Sequence, residues 1–367
     1  MSRRLVVLSK GGNGNSASFI RPLIRVRRKM RRSKVDISIN PDIRAMRDAD
    51  CVFVNSKYFR DSYPVWDSSA VESIREILKG IRKFTDRVVW FDTSDSTSSN
   101  QFPILDCVDL FCKNQVFTDT NNYLKNFYGG RIYTDYYNRE FGITDEMCDF
   151  ANESFAPPAN ELDKIRISWN SAFGQYGHGV RSAIDRRLGH NIPGVLKHLY
   201  TLCAPSKERS VDISCRVGLS HTRNTVLFQR QRLLDSISRI WPIEVSRLNR
   251  SKYWTELKKS KVVCSPFGWG EIAYRDFEIF LCGGALLKPD LSHMRTWPDL
   301  YKQDETFISV SWDMSDLEEK VEGLLSNGRY KVIAENAQLL YEEAIYSEVG
   351  LNAFCNRVEK IAGFKDA

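Results

Sequence analysis

Short apolar segments alternate with helical patterns along most of the chain, and this alternation restricts the fold more than any other feature. In the first half, strand-like runs occupy residues 4–9, 50–56, 86–94, 106–114 and 164–170. Helical patterns lie between them, for example at residues 69–83. Strands that alternate with helices form βαβ units, in which the strands are parallel. We therefore predict a mostly parallel sheet covered by helices.

The second half repeats this alternation. Its strand-like runs are at residues 209–219, 241–248, 261–266, 284–290 and 305–311, with helical patterns that include residues 223–240, 253–260 and 313–327. A length of 367 residues suits about two domains. We predict an α/β protein of two Rossmann-like domains, at residues 1–202 and 203–367, which face each other across a cleft. The second domain is expected to end in helices.

Composition is that of an ordinary globular protein. Hydrophobic residues make up 42% and charged residues 27% of the sequence, and no run of about 18 apolar residues is available to span a membrane. The first apolar run is too short for a signal peptide. Nine cysteines without a CxxC pair indicate reduced thiols rather than a disulfide framework or zinc site. We expect a cytoplasmic protein that needs no metal.

A strongly basic segment at residues 21–34 has two interpretations. Eight of its residues are Arg or Lys. A basic helix of this kind can bind anionic lipid, at about 1 kcal/mol per basic residue near the surface. The same charges can simply form a solvated face. The first interpretation predicts a protein held at the inner face of the membrane.

The segment CSPFGWGEIAYRDFEIFLCGG at residues 264–284 is the main candidate for a functional site. It places Gly268, Trp269 and Gly270 between a strand-like run and a helical pattern. In open α/β sheets ligands bind beyond the carboxyl ends of the strands, and anions bind at helix N-termini. A phosphate could approach the backbone at either glycine because no Cβ intervenes.

Charged residues at helical spacing follow this turn. Glu271, Arg275 and Glu278 share one face of the predicted helix, whereas its other faces are apolar. Buried charge is costly without compensation, so this charged stripe is expected to face a cavity or a partner. Its carboxylates suit sugar hydroxyls better than phosphates, because acidic groups accept hydrogen bonds from ribose.

The stretch FGWGEIAYRDFEIFLCGGALL resembles the nucleotide-binding segment of GT-B glycosyltransferases of the group-1 type. The downstream KPDLSHMRTWPDLY resembles a subset of these enzymes found with bacterial surface-polysaccharide genes. The resemblance implies that Glu278, five residues before Gly283, holds the ribose of the donor nucleotide. The commoner family pattern has a further glutamate at position 270, where this chain has glycine, and Glu271 is the nearest carboxylate.

The resemblance also implies how the donor phosphates are held. Family members carry basic residues near the first strand and helix of the C-terminal domain, where Arg216 and Arg223 lie in this sequence. Such side chains must stabilise the departing phosphate, since these enzymes generally use no bound metal. Salt-bridged or solvated arginines are the alternative. The implied co-substrate is a nucleotide-sugar on the C-terminal domain, with the acceptor on the N-terminal domain and no other cofactor.

Two carboxylates follow an apolar strand in the first half. Asp92 and Asp95 could act as a base, a nucleophile or a ligand of an acceptor hydroxyl, or they could cap the following turn. The glycine-rich loop that contains Gly12 lacks the spacing of an NAD or ATP site. Together with His178 and His293, this loop is a candidate for substrate contact.

These observations leave three functions open. The first is transfer of a sugar from a nucleotide-activated donor to a hydroxyl of a glycan or lipid-linked glycan, in polysaccharide biosynthesis. The second is a non-catalytic nucleotide- or sugar-binding protein on the same fold. The third is a basic nucleic-acid-binding protein, which is disfavoured because no aromatic residues interleave with the basic segment and no RNA-binding signature is present. We therefore expect no nucleic-acid partner.

Overall fold

The structure is a computed structural model that describes residues 2–11, 14–63, 66–146, 156–174, 176 and 203–365. Gly12 and His178, two candidates for substrate contact, lie outside the described residues. Residues 177–202, which precede the expected domain boundary, also lie outside them. The division at residues 202 and 203 therefore stays a prediction.

The first half forms a parallel sheet of six strands in the order β2-β1-β3-β4-β5-β7. The strands of this half are β1 (Arg3–Leu8), β2 (Val35–Asn40), β3 (Cys51–Asn55), β4 (Val88–Asp92), β5 (Leu110–Lys113), β6 (Gln115–Phe117) and β7 (Ile165–Ile167). Its α-helices include α1 (Gly14–Arg32), α2 (Ser68–Arg82) and α3 (Ile132–Phe141). Strand β6 lies outside the sheet.

Helices cover both faces of this sheet, which explains why its strands read as continuous apolar runs. Leu5 and Val7 of β1 belong to the apolar cluster that contains Leu23 of α1. Val6 and Leu8 point to the opposite face and belong to a second cluster, which includes residues of α2. The alternation follows from the two-residue period of a strand.

The second half forms a parallel sheet of four strands in the order β12-β10-β9-β8. Its strands are β8 (Val211–Ser214), β9 (Ser260–Cys264), β10 (Ala285–Pro289), β11 (Met294–Thr296) and β12 (Ile308–Val310). The helices are α4 (Asn224–Ile240), α5 (Arg250–Lys259), α6 (Tyr274–Cys282), α7 (Leu317–Ser326), α8 (Tyr330–Tyr346) and α9 (Glu348–Ala362). The prediction of an α/β protein with two parallel, helix-covered sheets is confirmed.

One local prediction needs correction, and one strand of the sheet has no counterpart among the predictions. The strand expected at residues 241–248 is wrong, because this segment is largely exposed and forms no strand. Pro242 lacks the N–H that a sheet ladder needs. Conversely, the edge strand Val35–Asn40 was not foreseen. Its alternating pattern directly follows the basic helix, and its outer residues are only partly buried.

The two halves also make noncovalent contacts with each other. Strand β6 of the first half pairs antiparallel with β11 of the second, with Val116 opposite Arg295. Helix α9, near the end of the chain, packs against the first half, where Phe354 lies 5.0 Å from Trp169 between ring centroids. These contacts fix the two sheets relative to each other.

No helix in the described part of the chain combines the length and the apolar character required to cross a membrane.

Candidate active site

A cavity of about 750 Å³ lies between the two halves, beyond the carboxyl ends of strands from both sheets. This is where ligands bind in open α/β folds. From the first half its walls include Lys10, Gly11, Gly14, Asn15, Ser16, Lys57, Arg60, Asp61, Asp95, Asn114, Gln115 and Ser171; from the second they include Gly268, Trp269, Gly270, Ile272, Ala273 and Tyr274. The predicted turn at residues 268–270 and Asp95 therefore line one space.

The turn after β9 is shaped by its glycines. The Gly268 N–H donates to the Gly270 carbonyl at 3.1 Å. A Cβ on Gly270 would lie 1.5 Å from the carbonyl oxygen of Asp95, a distance that no side chain can adopt. The first half thus touches the backbone of the second at this point. This contact gives a physical reason for glycine at position 270, where the commoner family pattern has glutamate.

A group of cationic side chains lies behind this turn. Arg230 of α4 approaches it, since a Cβ on Gly268 would lie 3.7 Å from the guanidinium. Burial lowers the pKa of Arg230, and the charge of Arg275 lowers it further. Burial also lowers the pKa of His221, with added repulsion from Arg230 and Arg223. The lowered pKa keeps His221 neutral at pH 7. The mutual repulsion places the charges of Arg223, Arg230 and Arg275 near one another, which favours an anion there.

Backbone contacts hold two of these arginines in place. The Arg230 Nη1 donates to the Gly218 carbonyl at 2.8 Å, and the Arg275 Nη2 donates to the Arg216 carbonyl at 2.7 Å. Both bonds go to the loop that follows β8. Carbonyl groups carry no net charge, so these bonds position the guanidinium groups without neutralising them.

Trp269 lies between cations at the mouth of the cavity. The guanidinium groups of Arg131 and Arg223 lie 4.8 Å and 4.6 Å from the centre of its ring, within cation–π range. The ring of His221 is 5.4 Å away. Arg223 also lies 3.6 Å from the carboxylate of Asp145. Trp269 itself is 38% exposed, so one part of its ring is accessible to a ligand.

Arg216, predicted to hold donor phosphates, does not line the cavity. Its Nη2 lies 2.6 Å from a carboxylate oxygen of Glu256 and 3.2 Å from one of Glu244. The hydrogen bonds that Arg216 donates to Glu256 raise the pKa of Arg216. Arg216 is therefore a salt-bridged arginine, which was the alternative interpretation, because two carboxylates already compensate its charge.

The predicted charged stripe is wrong for Glu271, because α6 begins only at Tyr274 and Glu271 lies in the preceding loop. Its buried carboxylate accepts a hydrogen bond from the Thr97 hydroxyl at 2.7 Å. His293 Nε2 lies 3.5 Å from the same carboxylate. Burial alone would raise the pKa of Glu271, but the nearby His293 and Thr97 outweigh it and lower the pKa. Glu271 thus links the two halves.

His293 lines a different hollow from the cleft. That hollow has a volume of about 330 Å³ and is also bordered by Tyr136, Asp290 and Trp312. Glu278 lies on α6 behind the cavity wall, where its carboxylate accepts a hydrogen bond from the Tyr253 hydroxyl at 2.9 Å. Burial raises the pKa of Glu278. Neither His293 nor Glu278 is on the wall of the cleft.

Asp92 and Asp95 occupy contrasting environments. The Asp92 carboxylate is fully buried, 2.6 Å from the Lys113 Nζ and 2.6 Å from the Ser99 hydroxyl. Burial tends to raise the pKa of Asp92, but Lys113 outweighs it and the pKa is lowered. Asp95 is exposed in the cleft, where its carboxylate accepts a hydrogen bond from the Asn15 amide. Of the two, only Asp95 is accessible to a substrate.

Sequence reasoning missed several residues of the cavity wall. Asn15 connects both sides of the cleft, since it donates to Asp95 and accepts from the Tyr274 hydroxyl. Lys57 and Arg60 follow the carboxyl end of β3. The rule that ligands bind beyond the carboxyl ends of strands would have found these two cations.

In the part of the chain that the structure covers, no group of three or more His, Cys, Asp and Glu side chains is arranged to hold a metal ion.

Neither a protein-family model nor a curated protein matches the sequence. Solved structures that are similar to the chain include HepE of Anabaena in complex with UDP, at 10% identity over 100% of both chains with a TM-score of 0.44. A glycosyltransferase of Rickettsia africae is 9% identical over 100% of both chains, with a TM-score of 0.43. The α,α-trehalose 6-phosphate synthase of Burkholderia multivorans is 10% identical over 99% of this chain and 98% of its own, with a TM-score of 0.44.

Proposed function

We propose that the protein is a glycosyltransferase, which moves a sugar from a nucleotide-activated donor to a hydroxyl group of an acceptor. One observation carries this proposal. The cleft between the two parallel sheets has a cationic group behind a glycine turn on one side and an exposed carboxylate, Asp95, on the other. This pair of features suits a phosphate leaving group and an acceptor hydroxyl.

The second half would bind the donor. Arg230 and Arg275 are positioned behind the turn at residues 268–270, so a diphosphate at this turn would be within their field. Preorganised positive charge stabilises an anion that develops as the sugar–phosphate bond breaks. The exposed ring of Trp269 offers a surface on which a base could stack. Glu278 is not on the wall of the cleft, so its role as a ligand of the ribose is supported by the family resemblance alone.

The first half would bind the acceptor. In the reaction the acceptor hydroxyl oxygen forms a bond to the anomeric carbon, and the bond from that carbon to the phosphate oxygen breaks. The nucleotide leaves with the electron pair, and the hydroxyl proton must move to a base. Asp95 would accept it, since this exposed residue is on the wall of the cleft and its backbone touches Gly270.

We further propose a lipid-linked glycan acceptor and a role in polysaccharide biosynthesis. Helix α1 carries the basic segment, and Arg27, Arg28, Arg31 and Arg32 are exposed on it. Part of the charge is compensated, because Lys29 pairs with Glu348 and Arg31 pairs with Asp36. The exposed positive side chains of α1 would hold the protein at an anionic membrane, where a lipid-linked acceptor is found.

The test is a thermal-shift panel of UDP, GDP, ADP, TDP and CMP, followed by a transfer assay with the sugar donor of the nucleotide that binds. A ligand at 100 times its dissociation constant should stabilise the fold by about 2.7 kcal/mol. Arg230→Gln should weaken the binding. Arg239→Gln is a matched control, because it lies on the same helix but pairs with Glu318 at the surface. Nucleotide binding without transfer or donor hydrolysis would favour a non-catalytic binding protein, and no binding would refute the donor site.

A further inference from the structure

A second large cavity lies beside the edge strand β7 and shares no lining residue with the cleft. Its volume is about 830 Å³, within the range of about 300–1,000 Å³ that is typical of ligand sites. The starts of β4 and β5, strand β7 and the helix α9 all contribute to its wall. The proposed glycosyl transfer makes no use of this cavity.

The wall of this second cavity is strongly basic. It carries Arg87, Arg166, Arg295, Arg357 and Lys360. Within the described residues, the ion pairs of the protein involve none of these five side chains. The wall holds one carboxylate, Asp163, against the five cations. The excess positive charge is repulsive, and a bound anion would relieve that repulsion.

Two of the guanidinium groups are fixed by backbone carbonyls. The Arg357 Nη2 donates to the Ile167 carbonyl at 2.7 Å, and the Arg87 Nε donates to the Ile361 carbonyl at 3.1 Å. The Arg357 guanidinium also lies 4.7 Å from the centre of the Trp297 ring. These contacts orient the two groups before any ligand arrives and leave their positive charge intact.

The charges of three of the arginines affect one buried thiol, that of Cys112. Burial raises the pKa of the Cys112 thiol to about 12, and the charges of Arg357, Arg87 and Arg166 each oppose that rise. An effect on one thiol requires that all three side chains lie near it. The positive charge is thus concentrated rather than spread along the surface.

Most of the remaining wall is aliphatic, and its polar members are Thr120 and Asp163. Leu110 and Ile165 begin strands β5 and β7, and Ile361 lies on α9. A cavity that is basic in one part and aliphatic in another suits a ligand with an anionic group and an apolar group. A single carboxylate would offset only one of the five cations, whereas a phosphate monoester carries about −1.5 to −2 charges at neutral pH.

We propose that this cavity binds a phosphate-bearing ligand with an apolar portion, at a site separate from the donor cleft. Arginine favours phosphate because its planar N–H groups match two phosphate oxygens at once. The phosphate would lie among the five cations, and the apolar portion would lie against Leu110, Ile165 and Ile361. This inference does not depend on the proposed glycosyl transfer.

Two probes distinguish the source of such a phosphate: short-chain phosphatidic acid, which is a lipid, and glycerol 3-phosphate, which is soluble. Binding of each to the full chain would be measured by titration calorimetry, with and without an excess of UDP. Arg166→Gln with Lys360→Gln changes two exposed cations of the cavity. Arg44→Gln with Lys83→Gln removes the same charge from exposed positions elsewhere.

We expect at least one probe to bind, to resist displacement by UDP, and to bind at least tenfold more weakly to the cavity variant but equally to the control variant. Binding of phosphatidic acid alone assigns a lipid phosphate, whereas binding of both probes assigns the phosphate group as the main determinant. If neither probe binds, or if both variants lose affinity equally, the site is refuted. Failure of UDP to bind would bear on the donor cleft and not on this cavity.

Discussion

The backbone of Gly270 touches the backbone of Asp95, so closely that a Cβ on Gly270 would lie 1.5 Å from the Asp95 carbonyl oxygen. The two residues belong to different halves of the protein, and each follows a strand of its own sheet. The Gln115 amide also donates to this carbonyl. The distance between the turn at residues 268–270 and the exposed Asp95 is therefore set by backbone contact.

This contact predicts the effect of a single methyl group. Gly270→Ala must push the halves apart or distort the turn, and overpacking of this kind costs about 1–3 kcal/mol. Gly268→Ala is a matched control, because its Cβ would meet nothing closer than the Arg230 guanidinium at 3.7 Å. Melting temperature and transfer rate should fall for Gly270→Ala and stay near wild type for Gly268→Ala. Equal values for the two variants would contradict the contact.

The sequence predicted those features that depend on local pattern. Continuous apolar runs such as residues 86–94 identified strands, and glycines after a strand identified the turn that lines the cleft. Contacts between distant segments could not be read in this way. Nothing local to Glu271 indicates that Thr97 and His293 lie beside it, and its spacing alone predicts a helical stripe.

The same limit applies to charged residues. Arg216 and Arg230 are equally basic in the sequence, but only the fold pairs Arg216 with Glu256 and places Arg230 behind the turn. Strand pairing between β6 and β11 was also beyond prediction, because each strand has only three residues and its partner lies in the other half.

Glu278 allows a test of the ribose interaction. If its carboxylate binds ribose, Glu278→Ala should weaken nucleotide affinity by about 1.5–3 kcal/mol, the usual value of a hydrogen bond to a charged group. Tyr253→Phe is the control, since it removes the 2.9 Å bond to Glu278 without removing the carboxylate. Calorimetry on folded variants measures both. Unchanged nucleotide affinity in Glu278→Ala would show that Glu278 does not bind the ribose.

If α1 binds the membrane, vesicle binding should depend on the salt concentration and on the positive charge of this helix. Sedimentation with anionic vesicles should fall as salt rises, because the Debye length shortens to about 8 Å at 0.15 M. Reversal of Arg27, Arg28 and Arg32 to Glu should abolish it. Reversal of Lys83, Lys125 and Lys252, which are exposed on other elements, controls for net charge. Equal sedimentation with neutral vesicles would argue against this surface.

Asp92, the last residue of β4, and Asp95, in the loop after it, should respond differently to the same substitution. Asp92 is buried against Lys113 at 2.6 Å, and removal of one partner from a buried ion pair costs about 3–5 kcal/mol. Asp92→Asn should therefore unfold at a much lower temperature. The folded-state pKa of Asp92 is lowered, so this pair stabilises the wild type above the unfolded pKa of about 3.9. That contribution is lost as the pH falls through the folded pKa.

Asp95, by contrast, is exposed in the cleft and has no cationic partner among the described residues' ion pairs. Asp95→Asn should keep the melting temperature and nucleotide affinity of the wild type, since the amide oxygen can still accept from Asn15. If Asp95 takes the proton of the acceptor hydroxyl, transfer should slow by about 10²–10⁴-fold. Asp61→Asn is the control, because it removes another carboxylate from the same cavity wall. Normal transfer by a folded Asp95→Asn variant would exclude Asp95 as the base, and equal slowing by Asp61→Asn would assign the effect to the charge of the cleft as a whole.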